Sequence, residues 1–327
     1  MRRRQFITLL GGAAASAAAP APLRAQAPGR SYRLGVLIPS PRQSPPVVAF
    51  FDELRLNGFV EGQNLEVIPG GFDIRNEQVA DHIGAIQSAQ PDAIVSGGFF
   101  RTRAVQAATR KIPHVALSED MVADGFVTSL ARPGGNTTGV SILSPELDGK
   151  RQELLIEATP GVRAMGVLAD SNATSPQHLK ELQDSAGARG IALSIFAVGK
   201  PEEIGPAMEQ AKASGAQALN VLASPLFGNY SNGLAVMQRA AALRLPAIYQ
   251  WPDMAEDGGL AAYGPRMTEI FRQEARILAK VLRGIAPADI PVEQPTRFEL
   301  VINLQTAKAI GHEVPAGLVL RADKVIE

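Results

Sequence analysis

From Tyr32 onward the chain alternates short apolar, β-rich runs with segments of helical period, and it does so in two successive halves. No other feature narrows the fold as much. Strands separated by helices of this length pair in parallel, in sheets covered on both faces, through right-handed crossovers. In the first half, 33–38, 64–68, 92–96 and 114–117 read as strands, and 45–57, 76–89 and 102–110 as the helices between them. An irregular stretch, 120–144, follows. The rhythm then restarts with strands at 164–168, 192–196, 218–222, 247–249 and 260–263 and helices at 146–158, 176–189, 202–214 and 231–243. Ile270, Phe271, Ile277, Leu278, Val281 and Leu282 recur at helical spacing and predict an amphipathic helix over 267–283. A late strand, 298–302, and a short helix near 304–310 close the chain. The fold class is therefore α/β, with two doubly wound parallel-sheet lobes. Ligands of such sheets bind beyond the carboxyl ends of the strands, so two facing lobes make an interlobe cleft.

The first residues do not share this rhythm. MRRRQFITLLGG opens with three arginines, passes through a short apolar run and continues into alanines and prolines, with no acidic residue before Asp52. The apolar run is shorter than the roughly 20 residues a bilayer span needs. Residues 1–27 read as a secretory signal peptide. Arg3-Arg4-Gln5-Phe6-Ile7 has the twin-arginine form. The expected destination is the periplasm. There is no cysteine, so no lipid anchor after the signal, no disulfide, and no thiolate nucleophile or thiolate metal site. Of 32 basic and 32 acidic residues, Arg2, Arg3, Arg4 and Arg24 leave with the signal; 28 against 32 remain, a net charge of −4. That balance argues against nucleic acid as a partner.

Catalytic and cofactor signatures are missing. His82, His114, His178 and His312 have no second histidine at metal-binding spacing. There is no Gly-x-Ser-x-Gly elbow and no phosphate-cradling glycine loop. The first strand ends Ile38-Pro39-Ser40-Pro41, whose prolines lack the amides a pyrophosphate would use. No enzyme activity, metal or cofactor is expected.

The strand ends offer a binding site instead. In the first half they carry Ser40 and Gln43, then Ser96, Gly97 and Phe99, then Asp120. In the second they carry Asp170, Ser171, Asn172 and Ser175, then Ser224, Trp251 and Tyr263. Hydroxyls and helix N-termini can hold a carboxylate. Ser175 before Pro176 also fits a plain helix cap. Trp251, the sole tryptophan, is a candidate aromatic platform. Arg101, Arg103, Arg110 and Lys111 read first as a solvated helix face, with contact to an anionic ligand as the alternative.

Leu130-Ala131-Arg132-Pro133-Gly134-Gly135-Asn136-Thr137-Thr138-Gly139-Val140-Ser141 closely resembles a signature of the ABC-transporter substrate-binding family, whose better-known relatives bind tryptophan or tyrosine. Gly258-Gly259-Leu260, Tyr263-Gly264-Pro265, the run 291–311 and the tail 320–327 are similar to the family as well. The resemblance implies a type I periplasmic-binding fold: two lobes joined by three crossovers, closing on a small molecule by a hinge motion. Crossovers are expected near Ser144, Asp253 and Pro291. Lobe 1 is then 31–144 plus 254–290, and lobe 2 is 145–253 plus 291–327. The implied partners are a small-molecule ligand and ABC permease subunits, with the protein itself a monomer. The pocket departs from the family. Many relatives carry Asp where this chain has Ser224, and commonly a Ser-Asn-Pro run where it has Gly97-Gly98-Phe99-Phe100. The ligand is expected to be aromatic or carboxylate-bearing, an amino acid among the options. Two other readings stay open: an exported α/β enzyme, and a periplasmic sensor for a membrane kinase.

Overall fold

The computed structural model describes residues 29–327 except Arg75, and the proposed signal segment lies outside the described residues. Five strands form the first sheet: β1 (Tyr32–Leu37), β2 (Leu65–Val67), β3 (Ala93–Gly97), β4 (His114–Ser118) and β5 (Thr137–Ser141). They lie in the order β2-β1-β3-β4-β5, all parallel. β3, β4 and β5 are buried along their whole length, as expected for strands with helices on both faces.

The second sheet has seven strands: β6 (Ala164–Asp170), β7 (Ala192–Val198), β8 (Ala218–Val221), β9 (Ala247–Tyr249), β10 (Ala261–Gly264), β11 (Glu299–Asn303) and β12 (Lys324–Ile326). Their order is β12-β11-β10-β9-β8-β6-β7, parallel except where β11 runs against β10. β7, at an edge, alternates exposed and covered residues where the central strands do not.

β5 was not legible as a strand. Thr137-Thr138-Gly139-Val140-Ser141 sits inside the stretch read as irregular, yet it pairs with β4 from His114↔Thr137 to Ser118↔Ser141. A Cβ on Gly139 would stand 1.8 Å from the Ala116 carbonyl oxygen, so only glycine lets β5 come this close. Thr138 Oγ1 donates to the Ile290 carbonyl at 2.7 Å and pins the third crossover to β5. The glycine- and threonine-rich signature thus builds an edge strand and the hinge beside it.

Two lobe boundaries move. The second crossover, expected near Asp253, lies beyond Gly264: helix Pro252–Glu256 leads into β10, which pairs with β9 in the second sheet. The chain returns to the first lobe with helix Met267–Leu282, which packs on helix Pro45–Leu56 with Phe50 and Phe271 edge to face at 6.5 Å. The third crossover, expected near Pro291, falls after Glu293, which still bridges Val140 of β5. After β5, Leu143, with φ 53, turns the chain toward helix Asp148–Ala158.

Candidate functional site

Between the carboxyl ends of the two sheets lies a cleft of about 750 Å³. Its first wall comes from the turn after β1 (Pro39), the segment after β2 (Asp73, Ile74), the start of helix Phe99–Ala108, and the turn after β4 (Ser118, Glu119, Asp124). Its second wall comes from residues after β6, β7 and β8, among them Asp170, Asn172, Gly199 and Leu226. The two walls meet where Asn229 Nδ2 donates to the Pro39 carbonyl at 2.8 Å.

Phe99 and Phe100 form the apolar part of the first wall, edge to face at 5.6 Å. Phe99 packs on Phe126 at 5.4 Å, and the Arg103 guanidinium lies over both rings, 5.1 and 4.8 Å from their centroids. That sandwich fixes the Phe99 ring before any ligand arrives. Phe100 is 53 % exposed. Gly98, with φ +86, turns the chain from β3 into this helix and brings no capping side chain.

Charge is arranged on both walls. Asp170, 4 % exposed at the end of β6, accepts from the Asn172 amide at 2.9 Å and from the Ser224 hydroxyl. Burial raises its carboxyl above the ordinary range even so. Asp124 accepts from Ser118 Oγ at 2.7 Å and is also raised by burial. Arg101 is 8 % exposed, and burial pushes its guanidinium down to about 10.

Of the residues expected here, Phe99, Asp170 and Asn172 line the cleft. Ser224 stands behind Asp170: its hydroxyl bonds that carboxylate and caps helix Pro225–Gly228 by accepting the Phe227 amide at 3.2 Å. The others serve the fold. Ser96 is fully buried between Thr102 Oγ1 at 2.9 Å and His114 Nε2 at 2.7 Å. A Cβ on Gly97 would press on the Pro39 ring at 3.0 Å. Ser40 offers its carbonyl to the Asp73 amide, and Gln43 is exposed outside the cleft. Asp120 closes its own turn, accepting from the Val122 and Ala123 amides at 3.0 Å. Ser171 donates to the Val198 carbonyl at 3.2 Å. Trp251 is 4 % exposed within the main hydrophobic core. Tyr263 stacks at 6.4 Å on Phe298, and its carbonyl accepts from buried Arg151 at 2.9 Å.

Ser175 is a helix cap, accepting the His178 amide at 3.2 Å, and it lines a second cavity of about 520 Å³ that adjoins the cleft at Pro145, Ala173 and Ala223. There the buried Asp148 carboxylate accepts from Arg151 at 2.6 Å, from His178 Nε2 at 3.0 Å and from the Ala223 amide at 3.0 Å. The bond to Asp148 raises the His178 imidazole above its ordinary value. Among the described residues no cluster of three His, Cys, Asp or Glu is placed to hold a metal.

Phe100, Asp124 and Asn229 line the cleft without having been expected there, and Arg101, expected first on a solvated helix face, lines it too. The signal for Arg101 and Phe100 was Gly97-Gly98 at the end of β3, where a helix starting at Phe99 instead of Thr102 aims its first turn into the cleft.

Two α/β lobes, three crossovers and a cleft at the strand ends define the type I periplasmic-binding fold. Residues 47–326 match the family model described as ABC transporter substrate binding protein, and the chain belongs to that family. A curated relative from Clostridioides difficile, named tyrosine-binding protein, is 25% identical over 290 residues, covering 86% of this chain and 81% of its own. Two solved structures share the fold. A conserved domain protein from Vibrio cholerae has a TM-score of 0.78 at 24% identity, covering 90% of this chain and 99% of that one. A Streptococcus pneumoniae ABC domain in complex with L-Trp has a TM-score of 0.77 at 24% identity, covering 90% and 100%. Among the described residues no helix is long and apolar enough to cross a membrane.

Proposed function

We propose that this is an exported solute-binding protein that captures an amino acid or a related aromatic carboxylate in the interlobe cleft and delivers it to an ABC permease, without chemistry of its own. The observation that carries the reading is the pairing of walls: the packed Phe99 ring with exposed Phe100 beside it on one lobe, and the buried Asp170 carboxylate on the other. A desolvated carboxylate gains most from an ammonium partner, and a ring gains most from a flat apolar one. Asp170 meets the need for an acid that Ser224 leaves open at its own position. The names of relatives that bind tyrosine and L-Trp fit this chemistry. The ligand touches both lobes, so binding favours the closed state.

A thermal-shift screen of amino acids and aromatic acids tests the capture. At about a hundred times its dissociation constant, the true ligand adds roughly 3 kcal/mol of stability. Small-angle scattering should then show a smaller radius of gyration. A screen without a stabilising solute sinks the reading. Export is tested separately: with Arg3 and Arg4 changed to lysine, precursor should stay in the cytoplasm. Undiminished periplasmic yield would point to the general secretory route instead.

A further inference from the structure

Arg101 and Lys200 are the cations among the described residues that line the cleft; Lys200 is exposed and Arg101 is buried. Arg101 Nη2 donates to the Ile74 carbonyl, and its Nε is buried without a hydrogen-bond partner. Its direct partner is a neutral backbone oxygen, and the acid whose charge acts on it, Asp73, is exposed on the rim. A guanidinium held this way has given up water without a carboxylate in return, an arrangement that is unfavourable unless something else supplies the missing partner. An arginine on a helix surface would simply extend its head into solvent. Here it lies in the first turn of helix Phe99–Ala108, a ten-residue helix whose N-cap, Gly98, contributes no capping side chain. Open first-turn amides and a buried cation therefore face the same space. The buried acid of the cleft, Asp170, belongs to the opposite wall.

We propose that Arg101 is the carboxylate receptor of the cleft, taking the ligand's anionic end on lobe 1 while its apolar body lies along Phe99. The inference rests on the capture reading and adds which chemical group the ligand must carry and which residue selects it. A carboxylate ligand is retained and its uncharged carboxamide is rejected, because the amide loses the charge-assisted hydrogen bonds.

The test screens the full chain by thermal shift and calorimetry with the standard L-amino acids, benzoate and 3-phenylpropanoate, the carboxamide of each, and the uncharged and amine solutes glucose and putrescine. The expected result is a carboxylate that binds, with affinity falling about tenfold or more on amidation and by a similar factor in Arg101→Gln. Arg101→Lys should recover part of the loss. The amide comparison uses the unaltered chain, so it stands even if Arg101→Gln disturbs the Ile74 segment. A purely structural Arg101 would lower the unfolding temperature on substitution and leave the preference for carboxylate over amide untouched. A carboxylate bound equally as its amide overturns the Arg101 assignment and leaves the capture reading standing; glucose or putrescine bound in place of any carboxylate overturns the Arg101 assignment and, with it, the ligand class of the capture reading. No stabilisation by any of these solutes overturns both.

Discussion

The Asn229 side-chain amide donates to the Pro39 carbonyl at 2.8 Å, tying a helix cap on the second lobe to the end of β1 on the first. The same side chain's oxygen accepts from the Ser231 and Asn232 amides at 3.1 and 3.2 Å. Asn229→Asp separates these jobs: a carboxylate still caps the helix but has no proton for Pro39. One interlobe hydrogen bond is worth about 1 kcal/mol, roughly a fivefold shift toward open lobes. Small-angle scattering of the unliganded variant should give a larger radius of gyration with an unchanged unfolding temperature. An unchanged radius would mean this bond does not hold the lobes together.

His114 predicts an acid-sensitive core. It is fully buried between Ser96 and Thr137, and burial pushes its imidazole down to about 3 from 6.5. Between those values the unfolded chain binds a proton that the folded chain refuses, so stability falls as pH drops through that window. The loss from this group has an upper bound of about 5 kcal/mol. His114→Gln should be less stable near neutral pH, by about 1–3 kcal/mol, and its stability should fall less steeply below pH 6.5. Denaturant unfolding at a series of pH values measures both; parallel curves for the two proteins refute the assignment.

What the sequence made legible follows from periodicity. β1, β3 and β4 are mostly apolar runs, and helix Met267–Leu282 keeps an apolar stripe interrupted only at Glu274, so their existence and order could be read directly. β5 could not, because Thr137, Thr138 and Gly139 are buried through pairing and close approach and not through hydrophobicity. Of the residues lining the cleft, Asp170 and Phe99 were legible from their place at or just after a strand end. Ser96, Ser171 and Ser175 were read from the same strand ends, but each hydroxyl is engaged by a nearby backbone or side-chain partner, Ser96 in the core and the other two at exposed turns. No local pattern distinguishes the two kinds. At Arg101 the sequence favours solvation over ligand contact, because a basic residue on a helix is usually solvated and its burial depends on Ile74, which comes from a loop 27 residues earlier.

Trp251 belongs to the core, so its substitution should cost stability before affinity. Its ring is 4 % exposed, and its indole nitrogen is buried without a partner. Trp251→Ala should destabilise the protein by about 3–5 kcal/mol. Trp251→Phe keeps most of the volume and drops the unpaired N–H, so ligand affinity should change by less than about twofold. A larger loss of affinity in a folded Trp251→Phe protein would return the ring to the site.

Glu274 gives the opposite pH signature to His114. It lies on the buried stripe of helix Met267–Leu282, 1 % exposed, and Oε1 has no hydrogen-bond partner. Burial raises its carboxyl well above the ordinary range, so folding favours its neutral form. The unfolded chain releases that proton once pH exceeds about 4.5, while the folded chain keeps it. Stability contributed by this group is therefore whole at low pH and is lost as pH rises toward the folded value. Glu274→Met fills a similar volume and carries no proton. It should be more stable than the parent above neutral pH, by about 1–3 kcal/mol, with the advantage shrinking toward pH 4.5. Thermal unfolding of both proteins across that range reads the difference. An advantage that is constant with pH would mean that packing, and not the buried carboxyl, sets it; a destabilised variant at every pH would show that Glu274 holds a compensating partner.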